Sequence, residues 1–385
     1  MSDDQTQRWD RATAGLPAPL AIVDLEAFDA NADDLVRRAG GMPIRVASKS
    51  VRCRALLDRA LARPGFAGVM AYAAAEAIWL AETGHDDVYV AYPSVDTVAL
   101  QRIRNDERLA AQIALTIDSV EHVDFLAGVE GEHPFRVALD IDASLRVGPA
   151  HLGVRRSPLR TPAQAAEVAR AAVARGLRVV GVMFYDAQVA GMPDSRVLDV
   201  VKKRSLGDLA ERRGPVVDAI RAVPGTDVVF VNGGGTGSLE LVCSDPALTE
   251  LAAGSGLYGP GLFDGYRAFT PRHAAAYAIP VVRRPARRIV TGFSGGYHAS
   301  GPGDRKRLPS LVAQGLSLIG TEGVGEVQTP VRGRAARRLR LGDRIWLRHA
   351  KAGELGERVD AFHLIDGERV VESVPSYRGE GKNFG

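Results

Sequence analysis

The sequence predicts an α/β fold: a (β/α)8 barrel of the TIM type followed by a C-terminal β-rich domain. Three observations predict it. Short apolar runs alternate with amphipathic helical stretches through most of the chain. Many of those stretches end in Gly, the residue favoured just past a helix C-terminus. After about Tyr266 the rhythm changes to short alternating strands broken by Gly, Pro and charge. Eight strands with intervening helices over about 250 residues is the size of such a barrel.

Residues 1–19 form a polar N-terminal extension. "PLAIVDLEAFDANADDLVRRA" then reads as a strand and an amphipathic helix opened by acids, with two placements open, against the β domain or within the barrel. The barrel strands read as Ile44–Ala47, Gly68–Ala71, Val88–Ala91, Ile113–Thr116, Val137–Ile141, Val179–Phe184 and Val228–Val231, with a weaker eighth near Glu250–Ala253. "YAAAEAIWLAETG", "SVEHVDFLAG" and "TPAQAAEVARAAVARG" supply helices between them. These limits give a barrel over 20–268 and a β domain over 269–385. In the latter, "AIPVVRRPARRIVTGF", "EVQTPVRG", "DRIWLRHA" and "AFHLIDGERVVESV" are the strands. "SGGYHASGPGDRKRLPS" is the segment the pattern predicts least, and no internal repeat is present.

Composition narrows the class. The 385 residues are 46% hydrophobic and 25% charged, an ordinary globular balance. Forty-nine basic against 46 acidic residues, with no basic stripe interleaved with aromatics, argue against a nucleic-acid partner. The polar, acidic start lacks a signal-peptide pattern, and no apolar run reaches membrane-spanning length, so the expected location is cytoplasmic and no membrane partner is expected. Cys53 and Cys243 are too few for a disulfide framework or a Cys-built zinc site.

Barrel active sites lie at the C-terminal ends of the strands, which turns strand ends into candidates. "PIRVASKSVRC" puts Lys49 just past the first strand, either as a solvated surface cation or as an amine held for a carbonyl. Strand five ends "ALDIDASLRVG", with Asp140, Asp142 and Arg146; strand six ends "GVMFYDAQ", with Tyr185 and Asp186. Strand seven ends "VNGGGTGS". Its bare glycines expose backbone N–H groups beside the Thr236 and Ser238 hydroxyls, the makings of a phosphate cradle at a helix N-terminus. It is neither the dinucleotide fingerprint nor a P-loop. A second turn, Gly254-Ser255-Gly256, follows the eighth strand, and barrels often bind phosphate after strands seven and eight. An amine at one rim position and a phosphate cradle at another describe pyridoxal 5′-phosphate, an aldehyde with a phosphate tail.

With these stretches in view, the chain resembles the fold-type III pyridoxal-phosphate enzymes with an alanine-racemase-like barrel, and within them the D-threonine aldolase and D-serine dehydratase branch. "RVASKSVR", "GVMAYAAAEAIWLAETGHDDVYVAYPSVD", "DIDASLRVG", "GVMFYDA", "NGGGTGS", "ELAAGSGLYG" and "PSYRGEGKNFG" carry the resemblance from about Pro19 to Gly385. It implies that Lys49 bears the cofactor aldehyde, that Arg146 lies by the ring oxygen and Tyr185 by the ring or substrate, and that Asn232, Gly234, Gly235, Thr236, Gly254, Ser255 and Tyr258 line the phosphate loops. It also implies a homodimer and an amino-acid substrate.

Two departures stand out. The "HVKTHK" setting of the lysine in D-threonine aldolases is absent. The C-terminal His-x-Cys or His-x-Asp metal pair of the branch reads His349-Ala350-Lys351 here. Two readings stay open: the Lys351 cation replaces the divalent metal, or His349 and Glu354 share one. His349, with Lys351, is the expected general acid/base near the substrate β-oxygen, since an imidazole titrates near neutral pH. The expected reaction is a lyase step on a D-configured β-hydroxy amino acid. It is either retro-aldol cleavage to glycine and an aldehyde, or dehydration and deamination to a keto acid and ammonia. The alternatives are an amino-acid racemase, with Tyr297 or Tyr377 as second base, and a non-catalytic pyridoxal-phosphate carrier.

Overall fold

The computed structural model describes residues 3–385. The chain forms two compact units. One comprises Leu35–Lys49, Asp58–Gly254 and Phe384–Gly385; the other comprises the chain up to Asp34, with Ser50–Leu57 and Ser255–Asn383.

The first unit is a closed barrel of eight parallel strands running in chain order around the ring. They are Ile44–Ala47, Phe66–Ala71, Val88–Val90, Ile113–Ile117, Arg136–Asp140, Arg178–Phe184, Phe230–Gly233 and Glu250–Ala253. The eighth pairs with the first, Leu251 opposite Ile44 and Ala253 opposite Val46. The seventh strand begins two residues later than the apolar run suggests. Val229 is 57% exposed, so its side chain adds nothing to the core, and the buried run starts at Phe230.

Helix signals work as read. Thr161 and Gln164 form a reciprocal capping box, Pro162 opens the helix Pro162–Ala174, and Gly176 follows it at a φ of +78°, a conformation that favours glycine. Inside the barrel, Tyr89, Ala114, Ala138, Met183 and Phe230 join one apolar cluster across the strands. A charged cluster sits among them. Arg45, only 2% exposed, donates from Nε and Nη2 to the two oxygens of Glu250 at 2.7 and 2.8 Å. It also pairs with Asp87 at 2.9 Å and stacks over Phe230. A planar guanidinium satisfied on this many edges can be buried in a parallel barrel, where an isolated charge could not.

The second unit is built on a nine-stranded sheet. Leu20–Asp24 settles the open placement of the N-terminal strand. It lies in this sheet, antiparallel to Ala275–Ala286 and parallel to Ala361–Asp366. All five of its residues are buried, and Leu20 and Ile22 share a core cluster with Trp9 and Trp346. The two indoles lie 5.2 Å apart, and Trp9 donates to Asp24 at 2.9 Å. The four strand-rich stretches read in the C-terminal third all form strands: Ala275–Ala286, Ile289–Phe293, Gln328–Gly333, Arg344–Arg348, Ala361–Asp366 and Arg369–Pro375.

Replacing Glu250 by Ala strips the buried Arg45 of its two-point partner. Urea unfolding is expected to show a loss of about 3–5 kcal/mol, the range for breaking a buried ion pair from one side.

Candidate active site

The first barrel strand ends in a single 3₁₀ turn, Ser48–Ser50. Ser48 donates to the Met70 carbonyl at 3.0 Å, which ties the turn to the second strand. Lys49 projects from this turn. Its ammonium donates to the phenol oxygen of Tyr92, which lies just past the third strand, and sits 5.1 Å from that ring's centre. The Arg156 guanidinium lies 5.3 Å from the Tyr92 ring and 5.2 Å from the Tyr185 ring. Two cations and two phenols therefore converge at the C-terminal rim. Burial alone would raise the Tyr92 phenol, but the Lys49 ammonium and then Arg156 overcome it and hold the group below its ordinary value. Tyr185 goes the other way: burial raises it, and Arg156 offsets this only in part.

The carboxyl at the fifth strand end, Asp140, faces Arg156, with Asp118 of the fourth strand end beside it. Burial and then the neighbouring Asp118 push Asp140 up to about 7, with Arg156 pulling the other way. Asp118 is itself paired with His122 at 2.9 Å, which raises that imidazole.

Arg146 is elsewhere. It stands on a small hairpin, Leu145–Val147 with Ala150–Leu152, pairs with Asp142 at 2.6 Å, and is 47% exposed. The guanidinium against the two rim phenols is Arg156, which sequence reasoning missed. "GVRRSP" carries no strand-end signal, and its second arginine reaches the rim from the segment that follows the hairpin. Tyr92 was missed as well; its signal was its place two residues beyond a barrel strand.

The glycine run is a tight loop rather than the start of a long helix, since Leu239–Val242 is a single turn. Gly234 has a φ of +71°, and a Cβ on Gly235 would stand 2.8 Å from that of Ala190 and 3.9 Å from Tyr185. Arg38 holds the loop from outside, donating to the Thr236 carbonyl at 2.6 Å and to Glu240 at 2.8 Å. The Gly235 amide donates to the Ser238 hydroxyl at 3.1 Å, and the Ser238 amide to the Gly235 carbonyl at 2.9 Å. Asn232 turns into the barrel instead, donating to Glu250 at 2.9 Å. Gly254 ends the eighth strand, buried.

The remaining candidates lie in the sheet-rich unit. Ser255 opens the one-turn helix Ser255–Tyr258, and the buried Tyr258 donates to the Val51 carbonyl at 2.7 Å. His349 is fully buried, its ring 6.2 Å from that of Tyr258 and edge-on to it. Burial, then Arg348 and His273, push the imidazole down to about 3, so it is neutral at physiological pH rather than poised near it. Lys351 donates to the Ser300 hydroxyl at 2.8 Å, and Glu354 accepts from the Ser300 amide at 2.8 Å. Tyr377 is fully buried, and burial, then Glu354, raises Tyr297 well above the usual phenol range.

A closed barrel with a lysine at its first strand end and a glycine loop after its seventh defines the fold-type III, pyridoxal-phosphate-dependent class. The chain belongs to the alanine racemase N-terminal domain family, whose model matches residues 23–260. It is 24% identical over 243 residues to a 3-hydroxy-D-aspartate aldolase from Paracoccus denitrificans (strain Pd 1222); the match covers 62% of this chain and 60% of that protein. Its fold is similar to a D-threonine aldolase from Filomicrobium marinum, with a TM-score of 0.77, 20% identity and 94% of each chain covered. It is similar also to a D-threo-3-hydroxyaspartate dehydratase from Delftia sp. HT23, with a TM-score of 0.74, 19% identity, and 94% and 97% covered. Family membership implies pyridoxal 5′-phosphate as cofactor.

Asp140 carries a stability signature. Its folded value, about 7, lies above its unfolded value, so the native state holds a proton that the unfolded state releases between pH 4 and 7. Stability should therefore fall as pH rises through that window. Asp140→Asn should remove that fall, on the order of 1–3 kcal/mol, in urea titrations at pH 5 and pH 8.

Proposed function

We propose that the protein is a pyridoxal-phosphate-dependent lyase of D-configured β-hydroxy amino acids. It either cleaves Cα–Cβ to give glycine and an aldehyde, or eliminates the hydroxyl to give a keto acid and ammonia. The observation that supports this best is the placing of Lys49 at the end of the first strand, against Tyr92, on the rim that also carries Arg156, Tyr185 and the glycine loop. The named relatives, two aldolases and a dehydratase, all act at the Cβ of a hydroxylated D-amino acid, which favours a lyase over a racemase.

The residues fit the cofactor. Lys49 offers the primary amine that an aldehyde needs, and Gly235 keeps the loop clear where a side chain would run into Ala190. Lys49 would bind the aldehyde, Gly234, Gly235, Thr236, Gly254 and Ser255 the phosphate, and Tyr185 the ring. We assign the ring-side cation to Arg156, the role that the resemblance gives to Arg146. Bound there, the cofactor supplies an electron-accepting ring conjugated to the substrate nitrogen. The released Lys49 amine takes or returns the proton at substrate Cα. Tyr185, kept neutral by burial, donates hydrogen bonds rather than accepting a proton. For the β-oxygen we carry over His349 and Lys351 from the resemblance; His349, neutral and held far below the ordinary imidazole value by burial, would accept a hydrogen bond there rather than a proton. A homodimer is the working form that the resemblance implies.

A divalent metal fits less well. An ammonium cannot ligate a cation; Lys351 donates to Ser300, and Ser300 takes one Glu354 oxygen while the other, Oε2, is buried with no hydrogen-bond partner among the described residues. Among the described residues, no group of three or more His, Cys, Asp or Glu side chains is placed to hold a metal. We therefore assign the β-oxygen site to His349 and Lys351 without a metal. Protein purified without a His-tag should contain substoichiometric metal by elemental analysis, and a chelator should leave turnover within about twofold; stoichiometric, activity-supporting metal would reverse this assignment.

The purified protein should absorb in the visible, and borohydride should fix the cofactor to Lys49. Lys49→Ala should lose both signals and turn over D-threonine and D-serine at least 10³-fold more slowly, the scale of losing a nucleophile or base. A colourless protein that ignores added pyridoxal phosphate would sink the proposal. Solvent deuterium entering Cα without product would replace it with racemisation.

A further inference from the structure

Lys49 cannot attack a carbonyl as an ammonium. Its nitrogen must first lose a proton, and at the barrel rim that nitrogen donates to a phenol oxygen. We propose that Tyr92 is the proton partner of Lys49: its oxygen takes the proton that the ammonium sheds before attack and returns it when the amine is released. The exchange balances within the pair, since Lys–NH₃⁺ with Tyr–O⁻ becomes Lys–NH₂ with Tyr–OH, with no change in net charge. This rests on the reading of Lys49 as the cofactor lysine and adds a catalytic residue to it.

Three features of the rim support the assignment. Tyr92 receives the Lys49 hydrogen bond on its oxygen, the atom that must accept the proton. Arg156, whose guanidinium covers both the Tyr92 and Tyr185 rings, supplies a permanent positive charge that favours the phenolate. The charged and titratable groups bearing on Tyr92 are Lys49, Arg156 and Tyr185; Arg156 in turn faces the Asp140 carboxyl, which lies beside Asp118. With both cations the phenol is held below its ordinary value despite burial, as a proton acceptor for an amine requires. Tyr185 has Arg156 but no Lys49 to oppose its burial, and Tyr92 and Asp186 add to the rise, so it stays a neutral phenol.

The test reads the pair with and without cofactor. In cofactor-free protein, ultraviolet difference titration should show one tyrosine ionising ahead of the others. That signal should vanish in Tyr92→Phe and move to higher pH in Lys49→Ala, where Tyr92 remains. The second readout is the rate at which added pyridoxal phosphate becomes borohydride-trappable on Lys49. In wild type this rate should vary little from neutral to mildly alkaline pH. In Tyr92→Phe the amine must lose its proton to solvent, so the rate should fall at least tenfold at neutral pH and approach wild type as pH rises. If wild type couples the cofactor but the Phe variant keeps the same pH profile, Tyr92 is not the proton partner while the cofactor reading stands. If wild type never couples the cofactor, the functional reading falls, and the titration alone decides whether the Lys49–Tyr92 pair shares its proton. An early phenolate signal that persists in Tyr92→Phe would overturn the inference outright.

Discussion

The constraint on which the site depends is the closure of the parallel ring. Pairing of Glu250–Ala253 with Ile44–Ala47 fixes the register of the last strand against the first. That register puts the turn carrying Lys49 beside the turn that ends the eighth strand at Gly254. Every strand runs the same way, so the loops after the third, fourth, fifth and sixth strands meet at one rim. Tyr92, Asp118, Asp140 and Tyr185 stand at or just past the ends of four successive strands, and Arg156 bridges the first and last of them. Closure also has a cost at the opposite, N-terminal end of the ring, where the buried Arg45 must be met by Glu250 and Asp87. Asn232 is drawn into the same network, which is why its side chain faces Glu250 and not the glycine loop.

Electrostatics at the rim are layered. Lys49 and Arg156 stand against the phenols, and buried carboxylates stand behind Arg156. Each layer shifts the next: Asp140 is raised by burial and by Asp118, and the cations pull Tyr92 down. A site arranged this way holds its protons in positions that bulk water would not favour, as proton transfer at carbon or at an amine nitrogen requires. The sheet-rich unit follows a different logic. There His349 is stripped of its basicity by burial, and Lys351 and Glu354 are gathered on one serine.

Much of the fold was legible because it follows from periodicity. The alternation of apolar runs and amphipathic helices located all eight barrel strands, and two of them, Ile44–Ala47 and Glu250–Ala253, to the residue. The seventh was misplaced by two residues because Val228 and Val229 look like strand residues while Val229 is exposed. Of the candidate site residues, those at strand ends could be read, because barrel geometry gives position a meaning. Those depending on how a loop folds could not. Arg146 and Arg156 are chemically identical, and no spacing rule says which one a hairpin will bring to the rim. The burial that neutralises His349 is likewise a property of its surroundings, and Tyr258 and His273 among them lie far from it in the chain.

By itself, the sequence determined the strand and helix periods, the lysine after the first strand, the glycine run after the seventh and the change to β structure near Tyr266. These are local properties, set by side-chain alternation, backbone freedom and capping chemistry. Only the tertiary structure decided that the N-terminal strand belongs to the sheet and not the ring, that Arg156 faces the phenols, that Tyr92 touches Lys49 and that Asp140 is held near neutrality. Those outcomes rest on contacts between residues far apart in the chain and on the loss of water around them.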